Sequence, residues 1–183
     1  MIFETMPMGK ILKFFFEEPN REVYLRELAK HLNTSLFTTK KCLDRLVEEG
    51  LILERKNGKM RIFKANMDNL VFKNLKKTCT IEKILKSGLI DFLKEKIPLL
   101  SSIVLYGSAA RGEDSKNSDL DFLIIGKKTH LSLDKFKIKL GREINILIYK
   151  HSEWKEKVRE NKGFYQNLIT EGIVFYGTLP MVE

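Results

Sequence analysis

The sequence has few of the residues that build disulfide or metal frameworks. Its 183 residues include only two cysteines, Cys42 and Cys79, and three histidines. Two widely separated cysteines give neither a disulfide framework nor the spacing of a zinc site. We therefore predict a chain that is held together by its hydrophobic core in a reducing compartment. The disulfide-rich secreted domains and the zinc-finger modules are excluded.

Long apolar runs and an amino-terminal targeting pattern are also missing. No run in the sequence approaches the roughly 18 apolar residues that a membrane-spanning helix needs. The chain does not open with the basic start, apolar core and small-residue cleavage site of a secretory signal. We therefore expect a cytoplasmic protein without a membrane partner.

Positive charge is what the sequence has in excess. It holds 33 lysines and arginines against 24 aspartates and glutamates, which gives a net charge of +9 at pH 7. A basic chain favours polyanionic partners, and nucleic acid is the first of these. A lysine-rich surface that serves only solubility is the alternative, so the positions of the charges decide between the two.

One segment, Ile103 to Ile125, has the pattern of a nucleotide site: IVLYGSAARGEDSKNSDLDFLII. Its first four residues are apolar and predict a short buried strand. Gly107 and Ser108 break this strand, and the alanines that follow favour the start of a helix. A polar loop then leads to a second predicted strand, from Ser118 to the end of the segment.

Asp119 and Asp121 carry the chemistry of the second strand. Alternate residues of a strand share a face, so the two carboxylates lie roughly 6.6 Å apart along the chain. Like charges this close need a cation between them, and Mg²⁺ prefers carboxylate and phosphate oxygens. The bend at Gly107 and Ser108 precedes a helix start, where free N–H groups attract phosphate. The combination indicates phosphoryl or nucleotidyl transfer.

The spacing of these residues resembles the motif of the polymerase-beta-like nucleotidyltransferases, which reads Gly-Ser, ten residues, Asp-x-Asp. Two sequence segments, GSAARGEDSKNSDLDFLII and GFYQNLITEGIVFYG, resemble the corresponding segments of the minimal nucleotidyltransferase branch. The resemblance implies an α/β (α+β) fold with a mixed sheet flanked by helices. It also implies that Mg²⁺, as two ions in an active enzyme, is held by Asp119 and Asp121.

The substrate implied by the resemblance is a nucleoside triphosphate, with ATP as the first candidate. The nucleotide-binding residues are then those of the bend and of the ARG sequence after it, namely Gly107, Ser108, Arg111 and Gly112. Members of this branch can transfer AMP to a partner protein, as in toxin–antitoxin pairs.

The third acidic residue of the family has no clear counterpart. The next predicted strand, Glu143 to Tyr149, reads Ile144-Asn145-Ile146 where relatives have an aspartate between apolar residues. The amide oxygen of Asn145 can coordinate a metal but cannot act as a base. Glu143 shares a face with Asn145 and is the alternative third acid. If neither serves, the site keeps two carboxylates and loses a group that deprotonates an attacking hydroxyl.

The first seventy residues predict three helices followed by a hairpin. LRELAKHLNTSLFTTKKCLDRLVEEGLI resembles the second and third helices of winged helix-turn-helix regulators, whose third helix enters the major groove of DNA. The alternative is that this module docks proteins or dimerises. The residues predicted to contact DNA are Ser35, Thr38, Thr39, Lys40 and Lys41 of the third helix and Arg55, Lys56, Lys59 and Arg61 of the hairpin.

We divide the chain into a winged-helix domain, residues 1–75, and a nucleotidyltransferase-fold domain with its connecting helix, residues 76–183. The connecting helix is predicted over Asn66 to Ser87 with a break near Thr78 to Thr80. Such helices can support a homodimer, and simple packing is the alternative.

The function predicted from these parts is a DNA-binding protein that transfers a nucleotidyl group from an NTP to an acceptor with Mg²⁺. Two alternatives stay open. One is a transcriptional regulator whose degenerate nucleotidyltransferase domain only senses a nucleotide. The other is an antitoxin-like protein that binds a toxin partner.

Overall fold

The structure is a computed structural model that describes residues 6 to 182. The start of the predicted 1–75 domain lies outside this range, as do the first residues of the amino-terminal segment that lacks the pattern of a secretory signal. The chain divides into two compact units, one ending at Lys76 and one beginning at Lys77. None of the helices described is long and apolar enough to cross a bilayer.

The first unit begins with three helices and contains a small antiparallel sheet. Its helices are α1 (Pro7–Glu17), α2 (Leu25–His31) and α3 (Leu36–Glu48), and its strands are β1 (Val23–Tyr24), β2 (Ile52–Asn57) and β3 (Met60–Ala65). β3 lies between β1 and β2 and is antiparallel to both. Phe15, Leu28, Leu43 and Phe63 are fully buried in its core.

The turn of the β2–β3 hairpin is shorter than the sequence predicts. Asn57 pairs with Met60, so Gly58 and Lys59 form a two-residue loop in place of the predicted four. Gly58 has φ of 60°, a value that L-residues rarely adopt, and glycine at the first loop position is typical of tight hairpins. The hairpin itself is confirmed.

The next helix, α4, runs without interruption from Leu70 to Ser87, so the predicted break near Thr78 to Thr80 is wrong. Cys79 and Thr80 are both buried in the folded chain. The helix propensity of Thr and Cys is only a few tenths of a kcal/mol to about 0.7 kcal/mol poorer than that of Ala. Burial of Cys79 and Thr80 in the folded chain outweighs this loss of helix propensity.

The second unit is built on a four-stranded mixed sheet with helices on both faces, as predicted. Its strands are β4 (Ser102–Tyr106), β5 (Leu120–Ile125), β6 (Ile144–Tyr149) and β7 (Ile173–Gly177), and its further helices are α5 (Leu89–Lys96), α6 (Ser108–Arg111), α7 (Asp134–Leu140), α8 (His151–Glu160) and α9 (Lys162–Glu171). The strand order is β6-β5-β4-β7. β5 is parallel to β6, whereas β4 is antiparallel to both β5 and β7.

The alternation of residues along β5 assigns its side chains to two separate cores. Phe122 belongs to the same buried cluster as Leu93 of α5, on one face of the sheet. Leu123 faces the other way and shares a cluster with Trp154 of α8. Asp121 has the parity of Leu123, so it lies on the α8 face, at the end of the strand where the apolar layer stops.

We expect Phe122→Ala to lower the free energy of unfolding by about 3–5 kcal/mol, because it opens a cavity at a fully buried position in the sheet. The matched control is Ile138→Ala in α7, where the side chain is 82% exposed, and its effect should stay within about 0.5 kcal/mol. Urea unfolding followed by the fluorescence of Trp154, the single tryptophan, measures both. A loss below about 1 kcal/mol for Phe122→Ala would contradict the assigned core.

Candidate functional site

The site begins at the bend between β4 and α6. Gly107 has φ of 77° and ψ of −157°, a conformation that is essentially restricted to glycine. A Cβ atom on Gly107 would lie 2.9 Å from Oδ2 of Asp121. The bend therefore needs glycine for two reasons, its backbone angles and the close approach of this carboxylate. The Gly-Ser bend therefore lies beside the second aspartate of Asp-x-Asp.

The parallel pairing of β5 and β6 brings the two carboxylates and Asn145 together. Asp121 and Asn145 are direct partners across the two strands. The Nδ2 amide group of Asn145 donates one hydrogen bond to Oδ2 of Asp119 and another to Oδ1 of Asp121, both at 3.0 Å. One amide thus holds two like charges at the same point, and the predicted convergence of Asp119 and Asp121 is present.

This donor set fits a hard divalent cation. Carboxylate oxygens are the ligands that Mg²⁺ prefers, and the amide of Asn145 carries an oxygen that can also coordinate. Among residues 6–182 there is no group of three or more His, Cys, Asp or Glu side chains that could hold a metal. The residues available are therefore Asp119, Asp121 and the neutral Asn145.

Glu143, the alternative third acid, does not join the pair. Its carboxylate bonds to Nζ of Lys137 at 2.6 Å, and its side chain is 64% exposed. Glu143 precedes β6, whose ladder starts at Ile144. The side chain of Glu143 is thus paired with Lys137 of α7 and does not contact Asp119 or Asp121 through a hydrogen bond in the described range.

The residues of the ARG sequence have protein partners. Nε of Arg111 donates to Glu113 at 2.8 Å, and Nη1 donates to Glu171 of α9 at 3.1 Å. These hydrogen bonds, first with Glu113 and then with Glu171, raise the pKa of Arg111. Gly112 ends α6 with φ of 71°, and its N–H donates to Ala109. Arg111 thus links α6 to α9, and Gly112 forms the turn that ends α6.

Tyr106 is a neighbour of the site that the sequence did not indicate. It is the last residue of β4 and pairs directly with Asp121 across the sheet. Burial, followed by the charges of Asp121 and Tyr149, raises the pKa of Tyr106 to about 12. Its hydroxyl is thus protonated at neutral pH. Only the strand register, which pairs Tyr106 with Asp121, could have revealed this neighbour.

The predicted DNA-contacting residues of α3 fall into two groups. Ser35 caps the helix, since its Oγ accepts from the N–H of Thr38 at 3.0 Å. Thr39 is fully buried and bonds to Thr34 at 2.8 Å, so the prediction that it faces DNA is wrong. Thr39 belongs to the inward stripe of α3, as its spacing from Leu43 could have shown. Lys40 and Lys41 are exposed.

The hairpin has fewer available cations than its sequence implies. Two of its arginines form ion pairs with acids, which come from β2 itself and from other parts of the unit. Nη2 of Arg55 lies 2.5 Å from Glu22, and Arg61 contacts both Asp44 and Glu54 at 2.6 Å. The four lysines predicted to contact DNA, Lys40, Lys41, Lys56 and Lys59, are all exposed and form no ion pair with an acid in the described range.

The family described as Nucleotidyltransferase domain matches residues 86–176. The Methanocaldococcus jannaschii protein MJ0604, named as a candidate protein adenylyltransferase, is 33% identical over 100 residues. This match covers 52% of the present chain and 97% of that protein. The chain therefore belongs to the nucleotidyltransferase family.

Two solved structures show a more distant likeness. A toxin–antitoxin crystallised with AMP-PNP is 23% identical, with coverage of 53% of this chain and 73% of that chain and a TM-score of 0.35. TrmBL2, an archaeal chromatin protein, is 15% identical, with coverage of 85% and 65% and a TM-score of 0.30. At these TM-scores neither likeness assigns an architecture or a function to the chain.

We expect Gly107→Ala to destabilise the second unit by at least about 2 kcal/mol, through backbone strain and the contact with Asp121. Gly88→Ala is the matched control, because Gly88 also has positive φ but no neighbouring atom within 4 Å of an added Cβ; it should cost about 1 kcal/mol. Urea unfolding followed by Trp154 fluorescence measures both free energies.

A double variant isolates the contact from the strain. If the carboxylate of Asp121 is what the new methyl group meets, adding Asp121→Ala to Gly107→Ala should recover part of the lost stability. Additive losses in the double variant would show that the bend and Asp121 are independent.

Proposed function

We propose that the second unit binds ATP with Mg²⁺ and transfers its AMP group to a hydroxyl acceptor. The observation that carries this proposal is the meeting of Asp119 and Asp121 on the amide of Asn145, with Asp121 against the Gly107 bend. Two carboxylates, whose mutual repulsion a cation would offset, lie beside a backbone turn. Glycine at this turn allows a phosphate group to approach the backbone closely. Membership of the nucleotidyltransferase family supports this chemistry.

In the proposed reaction, the acceptor oxygen bonds to the α-phosphorus of ATP. The bond between the α-phosphorus and the bridging oxygen to the β-phosphate breaks, so that pyrophosphate leaves with that electron pair. The acceptor proton passes to water, because no third carboxylate among residues 6–182 joins Asp119 and Asp121 to take it. Asp119 and Asp121 hold the cation, and the bend at Gly107 and Ser108 receives the phosphates. Bound Mg²⁺ supplies neutralisation of the phosphate charge.

We propose a protein as the acceptor. The support is the name of the M. jannaschii relative, a candidate protein adenylyltransferase, 97% of whose length aligns with this chain. A hydroxyl-bearing side chain of a partner protein supplies the attacking oxygen.

Asn145 favours a second candidate function, in which the same site binds the nucleotide without turnover. The neutral amide occupies the position where a carboxylate could accept the proton of the acceptor. A domain of this kind would report nucleotide level to the first unit. Nucleotide-induced thermal stabilisation without any transfer of label selects this candidate.

We expect Asn145→Asp to increase AMP transfer by about tenfold or more, because it adds a third carboxylate that binds the cation and accepts a proton. Transfer is measured with α-labelled ATP, Mg²⁺ and protein extract from the source cells. Asn145→Ala is the matched control and should not increase transfer. Asp119→Asn should abolish it.

Thermal unfolding gives an independent measure for the same variant. In EDTA, Asn145→Asp should melt below the wild type, because three carboxylates then repel one another. Mg²⁺ should reverse this order. An Asn145→Asp variant that neither responds to Mg²⁺ nor transfers AMP faster would contradict the proposed site.

We also propose that the first unit is a winged helix that binds DNA. Three helices and the β1-β3-β2 sheet have the order of elements that this module requires. α3 carries Lys40 and Lys41 at its exposed amino-terminal half, and the hairpin carries Lys56 and Lys59 at its tip. These ammonium groups suit phosphate contacts, since no internal carboxylate neutralises them among the described residues.

We expect Lys40→Ala and Lys56→Ala each to reduce the slope of log affinity against log salt by about 1, as one phosphate contact is lost. Glu22→Gln should increase this slope and strengthen DNA binding, because it releases the guanidinium of Arg55. Fluorescence anisotropy with a labelled random-sequence duplex at several salt concentrations measures all three. If the affinity of the wild type does not depend on salt, the first unit is a protein-docking module.

A further inference from the structure

Asp119 differs from Asp121 in how its backbone is held. Asp121 lies inside β5 and has strand partners on both sides, Tyr106 and Asn145. Asp119 lies before the first residue of β5, at the end of a long loop. The register of the central sheet therefore fixes Asp121, whereas Asp119 needs another anchor.

That anchor is the side chain of Arg142, in the turn before β6. Its Nη2 donates to the backbone oxygen of Asp119 at 3.0 Å, and its Nε donates to the backbone oxygen of Ser118 at 2.5 Å. The N–H of Leu120 donates to the backbone oxygen of Glu143 at 2.9 Å. The residues on both sides of Asp119 are thus attached to the same two-residue segment.

Arg142 is itself held by a buried carboxylate. Its Nη1 lies 2.6 Å from Oδ2 of Asp114, whose side chain is 2% exposed, while that of Arg142 is 11% exposed. Removing one partner from a buried ion pair leaves an uncompensated charge, so each partner keeps the other in place. The planar guanidinium reaches a carboxylate and two carbonyl groups at once, which the single ammonium of lysine cannot reproduce.

We infer that Arg142 is a positioning residue, which aims the carboxylate of Asp119 at the cation shared with Asp121. This inference rests on the proposed function, since it assumes a divalent cation at the two aspartates. Residues that orient metal ligands typically change metal affinity by about 10–100-fold when they are replaced. We therefore expect that replacing Arg142 weakens metal binding by a factor of this size.

If only charge mattered, replacing Arg142 would have the opposite effect on metal affinity. Arg142 is a cation close to the site, so its removal should strengthen metal binding if only its field matters. Lys137 provides the comparison, because it lines the same surface cavity as Asp119 and Arg142. The pKa of Lys137 is raised by its hydrogen bond to Glu143 and also by the charge of Asp119. Its ammonium is therefore within electrostatic reach of the site without contacting the backbone of Asp119.

The test is a titration of the full chain with Mn²⁺ alone, followed by the electron paramagnetic resonance signal of the free ion. We expect Arg142→Gln to bind Mn²⁺ at least about tenfold more weakly than the wild type. Lys137→Gln should bind Mn²⁺ as tightly as the wild type or more tightly. Arg142→Lys, which keeps the charge but not the fork of donors, should also bind weakly.

Each other outcome has a definite meaning. Equal or tighter binding by Arg142→Gln overturns the positioning role while leaving the proposed function in place. A wild type that binds no Mn²⁺ overturns the proposed function and this inference with it. Trp154 fluorescence and thermal melting show whether each variant is folded. If Arg142→Gln is unfolded, Arg142→Lys decides, and wild-type affinity in that variant overturns the role.

Discussion

The candidate site of the second unit depends on one interaction, the pair of hydrogen bonds from the amide of Asn145 to Asp119 and Asp121. Two carboxylates at one point repel each other unless donors or cations lie between them. The parallel register of β5 and β6 places Asn145 opposite Asp121, so the amide meets this need within the protein. The site is thereby organised by the sheet itself.

For the proposed function, a neutral residue at this position distinguishes nucleotide binding from turnover. The amide can hold two carboxylates together and can offer an oxygen to a cation, but it cannot accept a proton from an attacking hydroxyl. Family membership agrees with the fold of the second unit. In the proposed reaction the rate depends on Asn145, and Glu143 does not take its place because its carboxylate is bonded to Lys137.

The charge of the first unit shows how tertiary contacts change what composition suggests. The hairpin sequence from Arg55 to Lys64 contains basic residues and no acidic one. In the folded unit Glu22 reaches Arg55, and Asp44 and Glu54 reach Arg61. The remaining excess is carried by lysines, which attract phosphates as point charges and do not form the bidentate contacts of arginine.

Local patterns were sufficient to predict much of this protein. Short apolar runs predicted β4, β5 and β6, and the Asp-x-Asp spacing placed Asp119 and Asp121 on one face, because residues close in sequence determine both properties. Helical periodicity likewise predicted α1 to α3. The predicted DNA contact at Thr39 is wrong because the residue was chosen by its type. Its helical phase places it on the buried side of α3.

The sequence by itself determined the elements, their order and the two acids of the site. The tertiary structure decided the rest: the amide of Asn145 between the acids, Tyr106 beside Asp121, and Arg142 on Asp114. The first and last of these contacts join residues more than 20 positions apart, and the contact of Tyr106 depends on the register of β4 with β5. The pairing of strands and the path of the loop fix such contacts, and no local pattern encodes either of them.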